Sequence, residues 1–287
     1  MGRQSWTIGT ARITRFVETE VAIPPQGLLP DATPEALARH RAWLAPGFMD
    51  GDGNFTLSIH ALLVEQGGAR ILIDTCLGEH QIPGYEQLAG RGRALLDELA
   101  TAGAPRESID RVLCTHMHFD HVGLNTLREG TRWVPTFPNA RYYFAQAEWE
   151  HWSTAGESHY ASTLADAVKP VLDAGQAELV ATDHRICDGI ELVPSPGHTP
   201  GHVCVRIASR GTQALVTGDA THHPVQWAEP AWGMPADVDA TGAAATRRRL
   251  GRELADSETL VIGTHYAGPC AGRVRRGEAG TWFDARR

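Results

Sequence analysis

Thr115-His116-Met117-His118-Phe119-Asp120-His121 places four imidazole or carboxylate ligands within six positions. The stretch directly follows Val112-Leu113-Cys114, a short apolar run that reads as a buried strand. The His-x-His spacing lets two side chains converge on one ion from an extended or turning backbone, while Asp120 and His121 point elsewhere. This segment can therefore serve two cations rather than one. Imidazole with carboxylate and no thiolate favours zinc, with manganese, iron or cobalt as substitutes. A polar loop with coincidental histidines is the bland alternative, and the density of ligands at a strand end argues against it.

Three further pieces fit around it. Pro196-Gly197-His198-Thr199-Pro200-Gly201-His202 sets a histidine on a Gly/Pro-constrained turn between two strand-like runs. Thr217-Gly218-Asp219 and Gly263-Thr264-His265 each place a ligand at the end of another. Singly these are weak signals, because a lone Gly-Asp is usually a turn and a lone His usually a satisfied interior residue. Together they supply five His and two Asp, enough for two cations, and a carboxylate can bridge because both its oxygens accept.

The rest of the chain reads as mixed α/β or α+β. Thr33-Pro34 predicts an N-cap and first helical residue, with a helix running to Trp43. Gly67-Gly68 predicts a hairpin between strands at 54–64 and 69–74. Leu88, Leu95, Leu96 and Leu99 give a helical stripe stopping at Gly103, and Asp239 to Leu254 reads as a helix. The Arg247-Arg248-Arg249 run on that helix is expected to form a solvated face. With 287 residues, 42% apolar and 21% charged, and no repeat or linker, one domain over 1–287 is expected, with residues 30–48 as an N-terminal helical extension.

A net charge of −8 speaks against a nucleic-acid partner. No apolar run suits a membrane span, and the first residues lack a secretory pattern, so a cytoplasmic location is expected. Five scattered cysteines without a CxxC pair point to neither a disulfide framework nor a thiolate site.

The order HxHxDH, then Gly-His-Thr-x-Gly-His, then Gly-Asp, then Gly-x-His resembles the metallo-β-lactamase superfamily over nearly the whole chain, and Leu72-Ile73-Asp74-Thr75 matches its strand-and-Asp element. The resemblance implies an αββα sandwich. It also implies that His116, His118 and His198 hold one zinc ion, that Asp120, His121 and His265 hold a second, and that Asp219 bridges them. Within the superfamily the chain looks most similar to the lactonase and methyl parathion hydrolase branch. It is similar in Phe137-Pro138-Asn139-Ala140 before Tyr142-Tyr143, in Glu148-Trp149, and in Gly263 to Pro269. One departure is His222, three residues after Asp219, where acyl-homoserine lactonases of the best-known type carry Tyr.

The expected activity is hydrolysis of a small ester or lactone by attack of a metal-bridging hydroxide. A phosphotriester or a glutathione thioester is the alternative substrate, and a non-catalytic metal-binding protein the remote one. Asp120 would orient the nucleophile, His222 would steady the oxyanion or protonate the leaving group, and Asp74 would support a ligand. Phe48, Met49, Phe119, Trp149, Trp152 and Trp227 are candidates for the apolar wall of a small-molecule site. The branch also implies a homodimer.

Overall fold

The computed structural model describes residues 3–80, 92–154, 161–278 and 280–286. Its contacts cluster into two compact units, the first Met1–Glu18 with Ile59–His184, the second Thr19–Ser58 with Arg185–Arg287. Among the described residues no helix is long and apolar enough to cross a membrane.

The first unit is built on a seven-stranded sheet. Its strands run in the order Ser5–Ile8, Ala11–Ile23, Phe55–Gln66, Ala69–Ile73, Arg111–Leu113, Arg141–Ala145 and Ala177–Val180. The first two strands form a hairpin that turns at Gly9 with φ +58°. The expected hairpin at Gly67-Gly68 is present, with Gln66 opposite Ala69 and both glycines at positive φ, as a two-residue primed turn needs. From Ala69–Ile73 onward the strands are parallel, and the residues they bury are apolar or aromatic, among them Leu72, Ile73, Val112, Leu113, Tyr142 and Phe144. Leu72, Val112, Tyr142 and Phe144 form the core, capped by Leu95 and Leu99 from the helix Gly92–Thr101. Leu88, which opens the predicted stripe, lies outside the described residues.

The second unit carries the other seven-stranded sheet: Arg185–Cys187, Ile190–Pro194, Val203–Ser209, Thr212–Val216, Leu260–Ile262, Ala271–Gly277 and Gly280–Asp284. Thr212–Val216 and Leu260–Ile262 are parallel, and the helix Ala240–Leu254 lies between them in the chain. Asp239 caps this helix, its side chain accepting from the Gly242 N–H at 2.9 Å. In the extension, Thr33 caps as predicted, accepting from the Ala36 N–H. The helix is shorter than the pattern suggests: it stops at Ala38 and resumes as Arg41–Leu44, and the two residues between, Arg39 and His40, pair with Glu229. The final hairpin, Ala271–Gly277 with Gly280–Asp284, is an element the sequence pattern did not announce.

Candidate functional site

In the first unit, parallel pairing brings two strand ends to one edge. Ile73 stands opposite Leu113, so Asp74 and Thr115 leave the sheet together, the edge at which open α/β sheets bind ligands. Asp74 Oδ1 accepts the Thr115 N–H at 2.8 Å, and Oδ2 accepts the Thr115 hydroxyl at 2.9 Å and His121 Nδ1–H at 2.9 Å. His121 Nε2 lies on the other side of the ring, 3.7 Å from Asp120 Oδ2. Asp74 thus fixes the His121 ring and the start of the motif together.

Alternation along the extended segment sends Met117 into the core and its neighbours His116 and His118 the other way, with their rings 4.5 Å apart. The His116 and His121 rings lie 4.0 Å apart. Glu148, fully buried on the helix Gln146–Thr154, anchors this loop: Oε2 accepts the Met117 N–H at 3.1 Å and the Trp152 indole N–H at 3.0 Å. Trp152 in turn lies edge-on to His118 at 5.4 Å. After the short helix Phe119–Val122, Gly123 allows the return: a Cβ there would stand 2.0 Å from the Leu77 carbonyl oxygen.

The second unit repeats the device. Val216 stands opposite Ile262, so Asp219 and His265 emerge at one edge, and the Thr217 N–H donates to the Ile262 carbonyl at 3.0 Å. The Asp219 carboxylate faces two imidazoles with different oxygens: Oδ2 is 3.3 Å from His198 Nε2, and Oδ1 is 3.0 Å from His265 Nε2. Each of those rings is held through its other nitrogen. His198 Nδ1 bonds Asp237 Oδ1 at 2.9 Å, and His265 Nδ1 donates to the Ser58 carbonyl at 3.0 Å. His202, with no role assigned from the sequence, accepts the Asp219 backbone N–H on Nε2 at 2.8 Å, while its Nδ1 meets Ser195 Oγ at 2.8 Å.

His222 is buried, with Nε2 3.1 Å from Asp219 Oδ2 and its ring 4.8 Å from that of His198. Burial pushes its pKa below the ordinary value, against the pull of Asp219. Its backbone N–H is fixed by Gln226 Oε1 at 2.7 Å.

The seven predicted ligands, His116, His118, Asp120, His121, His198, Asp219 and His265, all belong to His/Asp groups that could hold metal ions. The donor chemistry fits a divalent cation: buried imidazoles with their second nitrogens engaged, plus carboxylates. Thiols take no part in these groups, and burial raises Cys76 and Cys114 well above their usual range and Cys204 to about 11.

The aromatic candidates divide. Phe48 packs edge-on against His223, Tyr266 and Phe283, and Trp227 is 1% exposed, so both are interior residues of the second unit. Met49 is also buried, bridging to Phe55. Phe119 and Trp149 are half-buried against the core of the first unit. The Arg triplet is not a uniform solvated face. Arg247 is 1% exposed, donating to the Pro230 carbonyl at 2.8 Å and facing Asp237 at 3.5 Å. Asp237 carried no motif signal, and only burial and partners reveal what Asp237, Glu148 and His202 hold in place.

The metallo-β-lactamase superfamily domain matches residues 55–265. Among curated proteins, an N-acyl homoserine lactonase of Bacillus sp. is 25% identical over 179 residues, covering 58% of this chain and 65% of the relative. A probable metallo-hydrolase of Mycobacterium tuberculosis is 26% identical over 229 residues, covering 69% of this chain and 66% of the relative. The chain thus spans about two thirds of the length of these relatives. Among solved structures, hydrolase AbOPH of the beta lactamase superfamily has a TM-score of 0.83 at 23% identity, covering 100% of this chain and 98% of the other. The dizinc quorum-quenching lactonase AidC has a TM-score of 0.81 at 20% identity, with the same coverage. These likenesses are of fold. By its family match and its ligand-bearing strand ends, the chain belongs to the metallo-β-lactamase superfamily.

Proposed function

We propose that this protein is a dinuclear-metal hydrolase that opens a small lactone or ester, with an acyl-homoserine lactone as the first substrate to try. The observation that carries the reading is the Asp219 carboxylate, whose oxygens face the Nε2 atoms of two different histidines. That arrangement suits a carboxylate shared by two cations. The superfamily's motif order joins His116, His118 and His198 for one cation and Asp120, His121 and His265 for the other. Two bound cations would supply a polarised carbonyl and an acidified water.

The chain's own residues do the remaining work. Asp120, on the first turn of a short helix and partly exposed, is placed to accept a proton on its carboxylate from the attacking water. His222 presents Nε2 3.1 Å from Asp219 Oδ2 and would steady the oxyanion or protonate the leaving group. Asp74, Asp237 and the Ser58 carbonyl hold the tautomers of three ligand histidines. The lactonase relatives support a lactone substrate; His222 in place of Tyr keeps a phosphotriester as the second reading.

Purified protein loaded with zinc should contain two equivalents per chain by elemental analysis and hydrolyse N-hexanoyl homoserine lactone or an aryl ester. Asp219→Ala should lose metal and turnover together. A single equivalent of metal, or no turnover across lactones, aryl esters and phosphotriesters, would overturn the reading.

A further inference from the structure

His198 sits on a turn that is tied at several points to one segment, residues 230–243. The Val238 N–H donates to the His198 carbonyl at 3.0 Å and the Asp239 N–H to the Gly197 carbonyl at 2.9 Å. Gly197, at φ +133°, packs so close to the helix Ala240–Leu254 that a Cβ would stand 2.1 Å from the Ala243 nitrogen. From the same segment Asp237 reaches back to His198 Nδ1 at 2.9 Å. Both carboxylate oxygens of Asp237 are used: Oδ2 accepts the Met234 N–H at 3.1 Å and faces Arg247 Nη1 at 3.5 Å. Arg247, about two turns into the helix, is pinned by its Nε–H to the Pro230 carbonyl. The His198, Asp237 and Arg247 side chains are each at most 1% exposed.

A buried carboxylate bonded to a histidine Nδ1–H fixes both the ring's rotation and its tautomer, leaving Nε2 as the only lone pair it can offer a cation. Arg247, held by the Pro230 carbonyl, faces the other oxygen of that carboxylate at 3.5 Å and gives the buried acid an opposite charge as partner. We propose that Asp237, braced by Arg247, is a positioning residue that locks His198 with Nε2 presented to a bound cation. The proposal rests on the metal-centre reading for its consequence, and on the geometry of the second unit alone for the relay itself.

Two measurements separate them. Long-range proton–nitrogen spectra of the metal-free wild type, with the His198 signals identified by their loss in His198→Gln, should show a protonated Nδ1. An Nε2–H tautomer would refute the relay without any variant of Asp237 having to fold. Zinc affinity by competition with a fluorescent chelator should fall about 10- to 100-fold for one of two equivalents in Asp237→Asn. Arg247→Met should weaken the same equivalent in the wild-type background and add little in the Asp237→Asn background, because it acts through Asp237. Affinities within threefold of wild type in Asp237→Asn, or fully additive losses in the double variant, would overturn the proposal. A wild type that takes up no zinc would instead overturn the metal-centre reading, while the tautomer still decides the relay.

Discussion

Gly197→Ala tests how the ligand turn is built. The residue lies at φ +133°, a region that L side chains rarely adopt, and the new methyl would point at backbone atoms, 2.1 Å from the Ala243 nitrogen and 2.3 Å from its Cα. Restoring an ordinary 3.4 Å contact needs a displacement of about 1.3 Å between the turn and the helix Ala240–Leu254. No flexible side chain can absorb it. The strained backbone costs about 1–3 kcal/mol, and the overpacking about 1–3 kcal/mol more. At roughly 2–4 °C per kcal/mol for a chain of this size, thermal unfolding of the metal-free protein should drop by about 5–20 °C. The displacement also carries His198 away from Asp237, so zinc affinity should fall in the same variant. Circular dichroism melts of wild type and variant decide the point. A midpoint within about 2 °C of wild type would mean that turn and helix separate freely, and the account of the turn would fail.

Asp74→Ala should weaken zinc binding about 10- to 100-fold in a chelator competition, since His121 loses the carboxylate that sets its tautomer; an unchanged affinity would remove Asp74 from the site. Glu148→Ala strands the buried Met117 N–H and the Trp152 indole N–H and should cost about 2–5 kcal/mol in urea unfolding; a loss under about 1 kcal/mol would show that both donors find other acceptors. His223 is stacked on Phe55 at 3.7 Å with Nε2–H donating to the Phe48 carbonyl, and burial pushes its pKa down to about 3. Below about pH 6.5 the unfolded chain binds a proton that the native state refuses, so this contribution is whole above that pH. It is lost at up to about 1.4 kcal/mol per unit as pH falls toward 3. Urea midpoints measured from pH 7 to 4 should fall less steeply in His223→Phe than in wild type, and equal slopes would contradict the assignment.

The His/Asp groups that could hold metal were legible in the chain because they cluster at strand ends, where a few residues of backbone suffice to present them. His116, His118, Asp120 and His121 are neighbours in sequence, and the Gly-rich turns around His198, Asp219 and His265 announce themselves by composition alone. The hairpin at Gly67-Gly68 and the caps at Thr33 and Asp239 are equally local. Local chemistry failed where burial makes the choice. Arg247 shares its helix with Arg248 and Arg249, and only packing turns the first of them inward while the second stays exposed. Phe48 and Trp227 read as well for a pocket wall as for a core, and the structure packs them as core.

The sequence by itself determined the superfamily, the donor types and which strand ends bear them, since these depend on residue chemistry and short-range geometry. The tertiary structure alone decided what holds the donors still: Asp74 and Glu148 around the first ligand stretch, and Asp237, Arg247, His202 and the Ser58 carbonyl around the second set. Such partners are 39 residues from their ligand for Asp237 and 207 for Ser58, and what selects them is the free energy of satisfying a buried polar atom. That quantity exists only once the chain has closed around it.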